Sequence, residues 1–304
     1  MAKAVQLENL TKKFGDFTAV DSLSFSVPQG SIFGFLGPNG SGKSTTLRMM
    51  LSLIKPTSGH IELFGSSLEL ERRSIMSKIG VIIEKPDFYT YLSALDNLKL
   101  FARAGGLDFT KKDYDALLTK VGLKGREKDK VKTYSHGMKQ RLGLAQALIH
   151  DPQFIILDEP NTGLDPLGII ELRELMLDLN KKEGKTILFS SHILSEVEAV
   201  CDHLVVIDKG KKVVEGVVKD LLSNEDLLVD VEVGNFQNAM SFLEGTEWAA
   251  DIVEKQEIES SIKFNLSKNR LASLNAFLVQ KGVDVMGMEY RKRLEEYFLK
   301  ITNN

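Results

Sequence analysis

Ile32-Phe33-Gly34-Phe35-Leu36-Gly37-Pro38-Asn39-Gly40-Ser41-Gly42-Lys43-Ser44-Thr45-Thr46-Leu47 runs from an apolar stretch through a glycine-rich bend into a helical pattern. Within it, Gly37 to Ser44 fits G-x-x-x-x-G-K-[ST], and the strand–loop–helix setting gives the motif its weight. Glycines let backbone N–H groups converge on phosphate oxygens. The helix that follows aims its N-terminal dipole at the same charge. Gly37, Pro38, Asn39, Gly40, Ser41, Gly42, Lys43, Ser44 and Thr45 are therefore read as a phosphate-binding loop. Lys43 is expected to reach the β- and γ-phosphates, and the Ser44 hydroxyl to ligate Mg²⁺. By itself the motif defines only a nucleotide binder.

A second apolar run, Phe154-Ile155-Ile156-Leu157, ends in Asp158-Glu159-Pro160. A buried strand delivering Asp158 beside the phosphate loop would hold Mg²⁺, directly or through water. Glu159 would then orient and deprotonate the attacking water, which favours hydrolysis over transfer. Pro160 cannot continue a strand ladder and ends the run. The plain alternative for such a pair is a solvated strand end; the phosphate loop argues against it.

Outward from these motifs, short β-rich runs alternate with helical patterns up to about Leu222. Strands are expected at Ala4–Leu10, Leu23–Val27, Ser31–Leu36, Gly80–Ile83, Phe154–Leu157, Thr186–Ser190 and Leu204–Ile207. That alternation predicts a largely parallel sheet with helices packed on it. The stretch from Asp96 to Ile149 is mostly helical and reads as an inserted subdomain, about residues 86–150. Asp208-Lys209-Gly210-Lys211 reads as a hairpin turn. Near Ser223 the character changes. The last 80 residues carry 14 acidic and 9 basic side chains, whereas the remainder is almost balanced. Val229, Val231 and Val233 alternate with acids, and Leu271, Leu274, Phe277 and Leu278 have helical spacing before Gly282. Leu294, Tyr297, Phe298 and Ile301 form another helical stripe. The division expected is 1–222 and 223–304, the second a small α+β domain.

Composition sets the outer limits. The chain has 304 residues, 43% hydrophobic and 27% charged, with 39 Lys+Arg against 42 Asp+Glu. There is no basic excess of the kind that coats nucleic acid. The longest charge-free run, Ser22 to Gly42, holds two prolines and five glycines and does not read as a membrane span. The N-terminus has no apolar signal region. A lone cysteine, Cys201, permits no intrachain disulfide, fits a reducing cytosol and reads as a packing residue.

Further motifs lie around the carboxylate pair. Tyr134-Ser135-His136-Gly137-Met138-Lys139-Gln140-Arg141 opens a helical run, Asn161-Thr162-Gly163-Leu164-Asp165-Pro166 follows Pro160, and Ser190-Ser191-His192 ends the next strand. With the phosphate loop and Asp158-Glu159, these resemble, in order over about residues 4–220, the ATP-binding subunit of an ATP-binding cassette (ABC) transporter. The resemblance implies an α/β P-loop NTPase of ABC type with an inserted helical subdomain, plus the small C-terminal α+β domain. It implies ATP and Mg²⁺ as ligands. Phe14 matches the aromatic that stacks on adenine, with core packing as its plain alternative. Ser135 and Gly137 match the motif that contacts ATP held by the opposite subunit. Asp165 matches the aspartate that communicates across the dimer, and His192 the switch histidine at the γ-phosphate. Lys43, Glu159 and His192 would be the catalytic set, with Ser44, Glu84 and Asp158 at the metal.

Two departures stand out. Glu84 falls where the family usually has Gln, a substitution resembling cassettes of bacitracin-resistance and lantibiotic-immunity exporters. His136 and Met138 stand where Gly and Gln are common. Elementary chemistry agrees with the dimer: Ser135 and Gly137 form an anion site at a helix N-terminus, redundant on one chain unless it serves a second subunit. The partners expected are a second ATP-binding subunit, with a homodimer favoured, and a separate transmembrane permease docking near Lys85–Leu92. The location expected is the cytoplasmic face of a bacterial plasma membrane, attached peripherally. Exposed aromatics among Phe88, Tyr89 and Tyr91 would be docking anchors; buried ones would be subdomain core. The competing class is a soluble ABC ATPase acting on nucleic acid or the ribosome, which the lack of basic excess and of sustained heptads disfavours. A P-loop kinase or GTPase fails on the Ser135–Gly137 and Ser190–His192 landmarks.

Overall fold

In the computed structural model, two long runs near the start of the sequence form an antiparallel hairpin, and short, mostly apolar runs spread from residue 32 to 217 form a buried sheet. Residues 2–83, 86–223, 226–258 and 260–292 are described. The chain divides into two compact units, Met1–Val218 and Lys219–Asn304.

The first unit contains two sheets, where the sequence suggested one. β1 (Lys3–Phe14) and β2 (Phe17–Pro28) pair antiparallel across a tight turn, and β4 (Ser58–Leu63) and β5 (Ser66–Ser67) extend them in the order β2-β1-β4-β5. β4 was not anticipated: its apolar residues are only Ile61 and Leu63, and Gly59 sits at φ 94° against the backbone of Asn9 and Leu10. The second sheet runs β10-β9-β3-β8-β7-β6, from β3 (Ile32–Leu36), β6 (Ile79–Ile82), β7 (Phe154–Asp158), β8 (Thr186–Ser191), β9 (His203–Asp208) and β10 (Lys211–Val217). All its neighbours are parallel except the β9–β10 hairpin. β3, β7 and β8 are buried at every residue, the signature of parallel strands covered on both faces. α1 (Lys43–Met50) contributes Leu47, Met49 and Met50 to a core shared with Phe25, Phe33, Phe35, Phe154 and Leu188.

α2 (Arg72–Met76) precedes β6. The inserted subdomain carries α3 (Ala94–Ala104), α4 (Lys111–Lys120) and α5 (His136–Leu148), and no named strand among its described residues. Thr110 and Asp113 form a reciprocal capping box on α4. α5 lies so close to β6 that a Cβ on Gly80 would strike the Ala147 carbonyl. α6 (Pro166–Glu183) buries Leu172, Met176 and Leu179 and ends at Gly184, φ 67°. α7 (Leu194–Glu198) follows β8, and α8 (Val218–Ser223) follows β10.

The second unit is β11 (Asp226–Val233), α9 (Phe236–Leu243), β12 (Ile252–Gln256), β13 (Ser261–Ser267), α10 (Leu271–Gln280) and β14 (Val285–Lys292). Its sheet is antiparallel throughout in the order β12-β13-β11-β14. That is the ferredoxin-like β-α-β-β-α-β arrangement. Val229, Val231 and Val233 turn inward with Ile262 and Phe264 against Leu243, Leu274 and Leu278. The stripe Leu294, Tyr297, Phe298 and Ile301 lies outside the described residues.

Candidate active site

Parallel strands with short C-terminal turns bring their ends together, and here three such ends carry the chemistry. Leu36 runs into the phosphate loop, Asp158 into Glu159, and Ser191 into His192. Because β3 pairs with β8 and β8 with β7, these ends are neighbours across one edge, where open α/β sheets bind ligands.

The loop itself is held by backbone. Gly37 N–H donates to the Ser191 carbonyl at 3.2 Å, and a Cβ on Gly37 would lie 2.5 Å from the Ile207 carbonyl. Gly42 opens α1 at φ 105°, where a Cβ would approach the Ala19 carbonyl to 2.6 Å. Only glycine meets both conditions. Asn39 and Gly40 are exposed at the tip; Pro38, Ser44 and Thr45 are half-buried, and Ser41 is buried.

Lys43 is 5% exposed and donates to the carbonyls of Gly37 at 2.7 Å and Pro38 at 3.1 Å. Its ammonium lies 3.4 Å from Glu159 Oε1. Burial pulls its pKa below the ordinary lysine value, and the carboxylates of Glu159 and Asp158 oppose that shift. His192 Nδ1 stands 3.2 Å from Glu159 Oε2. Thr162 Oγ1 reaches the same oxygen at 3.5 Å. Glu159 adopts φ 46°, a left-handed backbone that non-glycine residues take only where their surroundings hold them. The arrangement gathers Lys43, Glu159 and His192 into one contact network, with Asp158 next to Glu159 in the chain.

Other sequence-derived candidates fall elsewhere. Phe14 is 51% exposed at the end of β1, with Lys12 Nζ 4.9 Å from its ring centre, so the core-packing alternative fails. Ser135 caps α5, accepting Met138 N–H at 3.2 Å, and Gly137 leaves a Cβ-sized approach of 3.5 Å to Leu164. Asp165 caps α6 through Gly168 N–H at 2.9 Å. Glu84 and Lys85 lie outside the described residues. In the expected docking segment, Phe88 is buried and packs edge-on against Phe101, whereas Tyr89 and Tyr91 are 53% and 64% exposed.

Two participants escaped the sequence reading. Ser190 donates its hydroxyl hydrogen bond to Asp158 Oδ1 and accepts the Glu159 N–H at 2.9 Å. His136 Nε2 lies 3.1 Å from the Thr162 carbonyl, so its Nε2–H donates there and joins the start of α5 to the loop after Glu159. Both residues stand inside motifs already quoted, but their partners are set by strand register and packing.

A glycine-rich phosphate cradle with a buried lysine, adjacent carboxylates on the next-but-one strand and a histidine between them defines a P-loop ATPase. Residues 20–162 match the ABC transporter family model. The bacitracin transport ATP-binding protein BcrA of Bacillus licheniformis is 40% identical over 302 residues, covering 99% of this chain and 98% of its own. The chain belongs to the ABC transporter family, as an ATP-binding subunit and ATPase that drives transport. The lantibiotic transport ATP-binding protein SrtF of Streptococcus pyogenes is 44% identical over 211 residues, 69% of this chain and 90% of its own. Among solved structures, CbiO1 of Clostridium perfringens, part of an ABC transporter complex CbiONQ, matches with a TM-score of 0.66 at 26% identity, covering 74% of this chain and 92% of its own. Two relatives named for transport decide between the classes the sequence left open, against action on nucleic acid or the ribosome.

Proposed function

We propose that this chain powers a separate membrane permease that exports an antimicrobial peptide or a compound of similar kind, as the names of the bacitracin and lantibiotic relatives suggest. The observation that carries the catalytic part is the contact network of Lys43, Glu159 and His192 at the ends of adjacent parallel strands. Lys43 binds the β- and γ-phosphates, released from its own loop carbonyls to do so. Glu159 orients and deprotonates the attacking water, and His192 presents a ring donor to the γ-phosphate. Phe14, exposed at the end of β1, stacks on adenine.

The donor set of Ser44 and Asp158 fits Mg²⁺, a hard cation that takes a hydroxyl, a carboxylate and substrate phosphates. Mg²⁺ would supply charge neutralisation at the phosphates. Ser135 and Gly137 at the start of α5 serve the phosphate chain of a second subunit, so two ATP molecules are enclosed in a homodimer, and the higher affinity of ATP for the closed pair moves the permease.

The permease docks near residues 85–92, with the exposed Tyr89 and Tyr91 as anchors and the groove lined by Leu53, Met76, Val81, Ile83 and Pro86 as a further contact surface. Among the described residues no helix is long and apolar enough to cross a membrane, which fits peripheral attachment at the cytoplasmic face. The C-terminal unit acts in dimer contact or regulation.

Glu159→Gln tests this reading. We expect ATP binding to persist while turnover is lost, with an ATP-bound dimer accumulating in light scattering. Hydrolysis near the wild-type rate would remove Glu159 from the role of base.

A further inference from the structure

We propose that Ser190 is a positioning residue for ATP hydrolysis, a single hydroxyl that sets both carboxylate-bearing residues of the site. The proposal rests on the roles assigned above to Asp158 and Glu159. The parallel register of β7 and β8 places Asp158 directly opposite Ser190. Ser190 is fully buried and Asp158 is 8% exposed, so the Ser190 hydroxyl has no water to turn to and its bonds are made within the protein. A serine hydroxyl offers one donor and two acceptor sites. The donor goes to Asp158 Oδ1, and an acceptor site takes the Glu159 N–H at 2.9 Å.

The two bonds have different consequences. The first fixes the rotation of the Asp158 carboxylate and so the direction in which it offers an oxygen to a cation. The second pins the backbone of Glu159 just where the chain leaves the strand and swings to φ 46°. That backbone must be held for the Glu159 carboxylate to stay between Lys43 at 3.4 Å and His192 at 3.2 Å. The contacts of Lys43 and His192 are made to the side chain, and the Thr162 N–H at 3.1 Å is made to the Glu159 carbonyl. Ser190 alone among these holds the N–H and the neighbouring carboxylate together. Its loss should therefore disturb the metal side and the base side at once.

The test uses the full chain with ADP and Mn²⁺, an EPR-visible substitute for Mg²⁺. Ser190→Ala should weaken Mn²⁺ retention in the ADP complex about tenfold, the usual range for a group that orients a ligand residue. It should lower kcat by about 10- to 100-fold with KM for ATP changed less than about threefold. Metal-free ADP affinity should stay within about twofold, since the phosphate loop is untouched. Ser190→Thr, which keeps the hydroxyl, should recover both quantities; Ser190→Cys, a weak donor of similar volume, should fall between and stands in if the alanine variant does not fold. Wild-type Mn²⁺ retention and kcat in the alanine or cysteine variant would overturn the proposal. So would a lowered Tm with both quantities intact, or a threonine variant as impaired as alanine. Asp158→Asn separates the two levels. If it loses Mn²⁺ and Ser190→Ala does not, Ser190 has no such role. If Asp158→Asn retains Mn²⁺ fully, the metal assignment of Asp158 fails and the inference falls with it.

Discussion

Tyr134, the residue before the Ser135 cap, shows how a single buried group ties the motif to the subdomain. Its hydroxyl donates to the Arg126 carbonyl at 2.7 Å, and burial, reinforced by Asp129 and Glu127, pushes its pKa up to about 12. A phenol whose pKa is raised on folding contributes stability that is fully present below its ordinary value of 10.0 and is lost as the pH rises through about 12. Ultraviolet titration of the native protein should therefore show a tyrosinate forming near pH 12 that Tyr134→Phe removes, and the wild type should lose stability relative to that variant between those limits. Disappearance of no late-titrating ring would refute the placement. At this same scale Lys43, Asp158 and Glu159 were readable because their chemistry is spelled in contiguous runs. Ser190 was not: it lies 32 residues from Asp158, and only the register of two strands makes the bond.

Secondary-structure elements carry the loop as much as its own residues do. The β9–β10 hairpin closes through Lys209 at φ 46° and Gly210 at φ 78°, the left-handed pair of a two-residue turn with the favoured twist. Its position matters more than its type. Gly210 N–H donates to the Ser41 carbonyl at 2.9 Å, and the Gly210 carbonyl accepts from Asp21 N–H at 2.9 Å. A Cβ there would lie 2.8 Å from the Ala19 carbonyl. Gly210→Ala should cost about 1–3 kcal/mol in unfolding free energy through backbone strain. It should also weaken ATP binding severalfold without touching the nucleotide, whereas Lys209→Asn, suited to positive φ, should leave ATP affinity unchanged. Denaturant titration and equilibrium nucleotide binding check both; unaltered affinity in the alanine variant would show that the turn does not support the loop. The hairpin was legible from Asp208-Lys209-Gly210-Lys211. Its buttressing of the phosphate loop was not, because the contact joins segments far apart in the chain.

At the scale of the whole molecule, the sheets of the two units are each packed on a hydrophobic cluster of their own among the described residues. One joins β1, β2, β3, β4 and α1 with inward residues of β7, β8 and β9; the other is confined to β11, β13, α9, α10 and their neighbours. Separate cores can melt separately. Scanning calorimetry should resolve two transitions, and ATP at about 100 times its Kd should stabilise the first unit by about 2.7 kcal/mol while leaving the second where it was. A single transition that moves as one with ATP would show that the units unfold cooperatively.

The sequence by itself determined the class of site, the order of its parts and the presence of a distinct acidic tail region, because contiguous glycines, carboxylates and alternating valines act within a few residues of one another. Only the tertiary structure decided that the β strands divide into two sheets, that Phe14 and two of the three docking-segment aromatics face outward, and that Ser190 spans Asp158 and Glu159. Those outcomes depend on which strands become neighbours and in what register. Register is a property of whole elements packed against each other, and no local stretch of sequence contains it.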